Sequence, residues 1–193
     1  MTLRHAVVLA LVAVSVAACK KREAPVAGPT PVAVGGSDAA ARARADSIAA
    51  AERARREAEE REMAGGVARV REALSDIVFF EYDSNELTTE AQNKLRTKAA
   101  ILRSNPGVEM RIDGHADERG STEYNLALSQ RRAETVRDFL AGYGIAASRI
   151  STIPYGEERP RVEGTGESVW AQNRRAEFSM TGGQITVVPA EVR

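Results

Sequence analysis

The 193-residue chain holds a single cysteine, Cys19, and two histidines, His5 and His115. One thiol cannot close an internal disulfide, and so few soft ligands leave no spacing that announces a closed metal site. Aromatic residues supply 5% of the chain and the formal net charge is +0. With neither a cationic field nor a store of stacking side chains, nucleic-acid binding has little to rest on. No Gly-x-Ser-x-Gly elbow occurs, and "EGTGES" around Gly164 and Gly166 lacks the third glycine and the preceding strand of a dinucleotide fingerprint. Long apolar runs are missing too. The longest, Ala6 to Ala18, would rise only about 20 Å as a helix, against a hydrocarbon core of roughly 30 Å.

What is present begins with that run. Arg4 precedes it and small residues end it, so "MTLRHAVVLALVAVSVAACKK" reads as a secretory signal over residues 1–18. Val16-Ala17-Ala18-Cys19 resembles a bacterial lipobox, with Val16 where leucine is more usual, and implies lipid attachment at Cys19. Ala18 also suits ordinary signal peptidase, which would leave Cys19 unmodified. One acyl chain holds a protein only marginally, with a partition constant of about 10⁴ M⁻¹, whereas two or more anchor it stably. Lys20 and Lys21 follow the cysteine with no aspartate beside it, a pattern that leans towards the outer membrane.

Residues 19–38 are rich in Pro, Ala and Gly and read as a flexible linker. From Ala39 to Met63 the composition turns to strong helix formers, with Glu52/Arg56 and Glu57/Arg61 at favourable i,i+4 spacing. Ile48 apart, its apolar content is nearly all alanine, so no coiled-coil seam is specified. A solvated spacer helix and a weakly self-associating one both fit. Gly65-Gly66 is expected to break this segment (39–66), with a folded domain over residues 70–182 and a loosely held tail at 183–193.

Within the domain the periods alternate. Asp76 to Tyr82 is a strand candidate, β-branched and aromatic. Thr88 is a plausible N-cap for a helix with Ala91, Leu95, Ala99 and Leu102 on one face, ended by Asn105-Pro106-Gly107. Val108, Met110 and Ile112 alternate with Glu109, Arg111 and Asp113, the former inward. A second helix spans Glu123 to Ala141, with Leu128, Val136, Phe139 and Leu140 as its apolar contacts. "RISTIPYG" and "NRRAEFSM" supply two more strands, the last with Ala176, Phe178 and Met180 on one face. The order β-α-β-α-β-β predicts an α/β (α+β) two-layer sandwich, helices on one face of a mixed sheet.

The densest chemistry lies in "GHADERGSTEYNLALSQRRA", Gly114 to Ala133. His115-x-Asp117 offers two metal ligands where three or four are needed. Asp117 and Glu118 are flanked by arginines, which favours permanently ionised carboxylates over a proton donor. No nucleophile stands beside a base, so no reaction is expected. Binding fits better. Asp117 lies just past a strand end, and Arg132 sits in the following helix. A carboxylate and a guanidinium converging on one crevice can hold a zwitterion, though the two could equally pair with each other on a solvated face.

"GHADERGSTEYNLALSQRRAETV" also resembles the motif of the OmpA-like peptidoglycan-binding domain family. "FFEYDSNEL", "YGEERP" (Tyr155 to Pro160) and "NRRAEF" (Asn173 to Phe178) follow the family's order, so the likeness runs from Ile77 to Met180. The resemblance implies non-catalytic binding of peptidoglycan at the meso-diaminopimelate of its stem peptide, without a cofactor or metal. It puts Asp117 and Arg132 at the two principal ligand-reading positions, and Asn125 and Leu126 at a helix start whose backbone N–H groups can receive a carboxylate. Asp83 and Arg175 become rim contributors, and His115 a positioning or packing residue. Asp117→Ala and Arg132→Ala are expected to abolish binding and leave the fold intact. The resemblance further implies an outer-membrane lipoprotein facing the periplasm, held in membrane lipid by acylated Cys19, and acting with the Tol system through TolB in envelope integrity and cell division. Glu81 departs from the aspartate frequent at its position, and the charged helix matches no family motif. That helix leaves room for a second reading, a structural spacer or assembly lipoprotein of a larger envelope complex.

Overall fold

The computed structural model describes residues 35–192; the expected signal segment, Cys19 and most of the linker lie outside the described residues. The chain divides into two compact units, at Ser47/Ile48. The described part of the first is helical and exposed, so residues 35–38, expected in the linker, belong to the opening turns of helix α1 (Gly35–Ser75). No helix among the described residues is long and apolar enough to cross a membrane.

In the second unit, α1 first shows solvated i,i+4 ion pairs: Glu52–Arg56, Arg55–Glu59 and Glu57–Arg61. It then turns apolar. The break expected at Gly65-Gly66 does not occur, and the helix runs on to Ser75. Glycine in a helix interior is unfavourable by about 1 kcal/mol relative to alanine, a local preference that tertiary packing overrides. Here Val70 and Leu74 enter the core. A Cβ on Gly66 would stand 2.8 Å from Val188 Cγ2, so the bare backbone is what lets the C-terminal segment lie against the helix. The last carbonyls of α1, on Ala73 and Leu74, accept from Lys98 Nζ at 2.7 and 2.8 Å.

After α1 come β1 (Val78–Phe79), α2 (Thr89–Ser104), β2 (Glu109–Gly114), α3 (Thr122–Gly142), a 3₁₀ turn (Ala147–Arg149), β3 (Ile150–Pro154), α4 (Glu167–Asn173), β4 (Arg175–Gly182) and a closing 3₁₀ turn (Ala190–Val192). The sheet order is β1-β4-β2-β3, with β2 and β3 parallel and β4 antiparallel to both β1 and β2. Helices α2 and α3 pack on this sheet and on each other, the expected two-layer arrangement. Thr88 caps α2, its Oγ1 accepting from the Ala91 N–H, and Ser121 caps α3, accepting from Tyr124 N–H. Leu95, Ala99 and Leu102 of α2 meet Val108, Met110 and Ile112, with Val136 and Leu140 of α3 and Phe178 of β4 in the same core.

Four details depart from expectation. Strand β1 is two residues rather than the seven of Asp76 to Tyr82. Asp113 is buried rather than solvent-facing, because Arg111 covers it with a two-pronged pair at 2.8 and 2.9 Å. Met180 is 39% exposed near the end of β4. The tail is not loose: Ile185, Val188 and Val192 join the core, and Asn105 secures the segment. Its Nδ2 donates to Ile101 O and Val187 O, and its Oδ1 accepts from the Thr186 and Val187 N–H groups, both at 2.9 Å. One close approach shapes the end of the sheet. A Cβ on Gly114 would lie 2.1 Å from Ser129 O, so glycine is what allows α3 to press on the last residue of β2.

Asn105→Ala would remove a buried bond to Ile101 O and three partly buried bonds to the Thr186 and Val187 backbone, each worth about 1 kcal/mol. Urea unfolding should show a loss of about 3 kcal/mol, and amide exchange should quicken at Thr186 and Val187 before the rest of the domain.

Candidate functional site

The chain leaves β2 at Gly114 and turns through His115, Ala116 and Asp117 before α3 begins. A small cleft of about 100 Å³ opens there, lined by Tyr82, Asp83, Asp117, Arg119, Tyr124, Asn125 and Arg132 among others. Asp117, Arg132, Asn125 and Asp83 are therefore brought together, as the sequence led us to expect.

Arg132 forms the floor and is fully buried. Nε donates to Ser84 O at 2.8 Å, Nη1 to His115 O at 2.9 Å and Nη2 to Glu81 O at 3.0 Å. Among the described residues no carboxylate lies within ion-pair distance of it, and Asp117 is not its partner. Burial, then the nearby Arg174 charge, push its pKa down to about 10, so it stays a cation at neutral pH. Expecting Arg132→Ala to spare the fold is therefore wrong: this side chain ties the turn after β1 to the end of β2.

Asp117 is 4% exposed, and its carboxylate is fully engaged. Oδ1 accepts from the Arg119 backbone N–H and Nε, both at 3.1 Å, and Oδ2 accepts from Arg119 Nη2 at 2.7 Å and Arg174 Nη1 at 3.3 Å. Burial works to raise its pKa, but the hydrogen bonds from Arg119 and Arg174 outweigh it and hold the carboxyl below its ordinary value.

Asn125 is buried, its Nδ2 donating to Arg119 O and Glu157 Oε2. Its backbone N–H is already taken by Ser121 O at 2.9 Å, so it is not available to a carboxylate in the way expected of this helix start. Asp83 sits on the rim with a left-handed backbone, φ 52°, and accepts a short hydrogen bond from Tyr124 Oη. Leu126 is half exposed and does not line the cleft. Nor does Arg175, whose guanidinium is spent on Glu177 Oε1 (2.6 Å), Asn173 O and Arg159 O. Its neighbour Arg174 is the one that reaches the site, bonding Asp117, Phe80 O and Glu167. Adjacent residues entering a strand point to opposite sides, and the motif alone does not say which parity faces the cleft.

Arg119, Trp170 and Tyr82 escaped the sequence reading. The Arg119 guanidinium lies between the Tyr82 and Trp170 rings, 3.9 and 4.2 Å from their centroids. Trp170 comes from α4, which carries no periodic signal, although Arg119 two residues after Asp117 was visible. His115 is a packing residue: its ring is buried and stacks on Tyr155, while its carbonyl serves Arg132. Burial, then Arg175, push its pKa down to about 4, leaving it neutral at pH 7. Among the described residues no group of three or more His, Cys, Asp or Glu could hold a metal ion.

A four-stranded mixed sheet with a polar, charge-lined cleft at the β2–α3 junction describes an α+β domain of a binding type. The family model described as the OmpA family matches residues 79–174, and the chain belongs to that family. The peptidoglycan-associated lipoproteins of Brucella melitensis and Agrobacterium fabrum are 46% and 48% identical to it over 109 and 110 residues, or 56% and 57% of this chain. These matches span 65% and 62% of those relatives' own lengths. The crystal structure of the peptidoglycan-associated lipoprotein from Burkholderia pseudomallei superimposes with a TM-score of 0.53 at 40% identity, over 54% of this chain and 89% of that one. The OmpA-family domain is not an enzyme.

Arg132→Ala should lower the unfolding free energy by about 3 kcal/mol, since it leaves the buried His115 carbonyl and the partly buried carbonyls of Ser84 and Glu81 without a charged donor. Asp117 has the depressed-pKa sign: the stability it contributes is present above the unfolded carboxylate value, about 3.9, and is lost as pH falls through the lower folded value. Asp117→Asn should accordingly be less stable than the parent at pH 7, the gap closing below about pH 3 in urea titrations at stepped pH.

Proposed function

We propose that this protein binds peptidoglycan non-covalently at the meso-diaminopimelate of the stem peptide. The observation that carries the reading is the presence, within one cleft, of an ionised Asp117 and a buried Arg132 that no carboxylate among the described residues pairs. Meso-diaminopimelate offers a free ammonium and a free carboxylate on one carbon. The ammonium suits Asp117. The carboxylate suits Arg132, whose five N–H donors exceed the three carbonyls they serve. With the Asn125 backbone N–H already used, carboxylate reading falls on this guanidinium, and Tyr82 and Tyr124 wall the entrance.

The relatives named peptidoglycan-associated lipoproteins support the same ligand. Joined to acylation at Cys19, wall binding makes the protein an outer-membrane tether facing the periplasm. Partnership with TolB of the Tol system, and a part in envelope integrity and division, complete the reading. The long solvated stretch of α1 favours an alternative reading, a structural spacer or assembly lipoprotein of a larger envelope complex with wall binding secondary.

The full chain in detergent should co-sediment with diaminopimelate-type sacculi and be released by free meso-diaminopimelate. Asp117→Asn should weaken retention well over tenfold, as removal of one partner of a desolvated charge contact costs about 2 to 5 kcal/mol. Undiminished co-sedimentation of the folded variant would sink the site.

A further inference from the structure

A carboxylate has about four lone-pair directions to offer. On Asp117 all four are in use, three by Arg119 (backbone N–H, Nε and Nη2) and one by Arg174 Nη1. An arriving ammonium therefore finds no free acceptor and has to displace a donor. The two guanidiniums differ in how readily they can leave. Arg174 has a side chain only 5% exposed and is fixed elsewhere by Phe80 O and Glu167. Arg119 is 27% exposed and comes from the loop after β2; beyond Asp117 it has only a long 3.7 Å pair to Glu167 and the two aromatic faces. Its side chain can swing out while its backbone N–H stays on Oδ1.

We propose that Arg119 is a latch for this site: its guanidinium holds the acceptor positions on Asp117 that a ligand ammonium takes, so ligand entry and Arg119 release are a single exchange. This rests on the zwitterion reading of the cleft and adds a selectivity device to it. A fork on both oxygens, clamped between Tyr82 and Trp170, outcompetes a lone amine. Only a ligand that engages Arg132 with a carboxylate at the same time gains enough to open it. The latch thus screens out simple amines and admits amino-acid heads.

Trp170 is the chain's single tryptophan, so its emission reports the position of Arg119 directly. The test is calorimetric titration of the full chain with free meso-diaminopimelate and, separately, with cadaverine, following Trp170 emission. Arg119→Ala should bind meso-diaminopimelate roughly tenfold more tightly, because an open form populated at a tenth or less no longer limits affinity. It should also gain measurable cadaverine binding, and its emission should match that of the ligand-saturated parent. Trp170→Ala, which removes one face of the clamp without lining the cleft, should tighten binding by less. Equal or weaker binding by Arg119→Ala, or parent emission unmoved by saturating ligand, overturns the latch while leaving the binding reading in place. If neither parent nor Arg119→Ala binds meso-diaminopimelate, the binding reading fails and takes the latch with it. Binding by Arg119→Ala alone supports the latch in its strongest form.

Discussion

A buried guanidinium that no carboxylate among the described residues pairs organises this domain. Taking a charge out of water is costly unless its donors are satisfied, and Arg132 meets that demand with backbone carbonyls rather than a counter-ion. Those carbonyls belong to Glu81, Ser84 and His115, so one side chain on α3 joins the turn after β1 to the end of β2. Arg174 repeats the device from the β4 side, donating to Phe80 O while it holds Asp117. The walls of the cleft outside α3 are thus irregular backbone held in place by arginines. The groups that shape the cleft are also the groups that charge it, so its form and its charge have a common origin.

That arrangement depends on how closely α3 approaches the sheet. Gly114 admits Ser129 O to a distance no side chain would permit, and Ser129 Oγ in turn accepts from the Gly156 N–H. The start of α3 is thereby fixed over the β2–β3 edge, with Ser121 as its cap. Arg132 then falls three turns into the helix, on the face that looks at the strand end. A helix shifted outward by even one methyl group would lift the guanidinium away from its three carbonyls.

Much of this was legible in the chain because the segments are long and periodic. The apolar rows of α2, β2 and α3 follow periods of 3.6 and 2, and Thr88 and Asn105-Pro106 punctuate α2 where they should. What escaped has physical reasons. The glycines at 65 and 66 look like a break, and only the contact with Val188 shows that one of them is a packing surface. The tail's few apolar residues stand in a glycine- and proline-containing context, and its anchor, Asn105, is a helix cap more than eighty positions away. Helix α4 is seven residues long, too short for a period to show, which hid Trp170 and with it the aromatic clamp on Arg119. Asp117 and Arg132 were found by their motif, but the choice between Arg174 and Arg175 is a matter of strand parity that only the register of β4 with β1 decides.

The contacts that charge the cleft also work against acid–base chemistry there. A general acid must keep its proton near neutral pH, which requires a carboxyl lifted by burial or by a like charge. Asp117 has the burial, yet two guanidiniums and a backbone N–H reverse its effect and keep the group ionised. His115 could have served as a base from two residues away, but its ring turns from the cleft onto Tyr155 and only its carbonyl faces Arg132. Asp117 and His115 are both committed to holding a shape. Near neutral pH Asp117 and Arg132 are standing charges with no proton to give, a setting for holding a ligand rather than for transforming one.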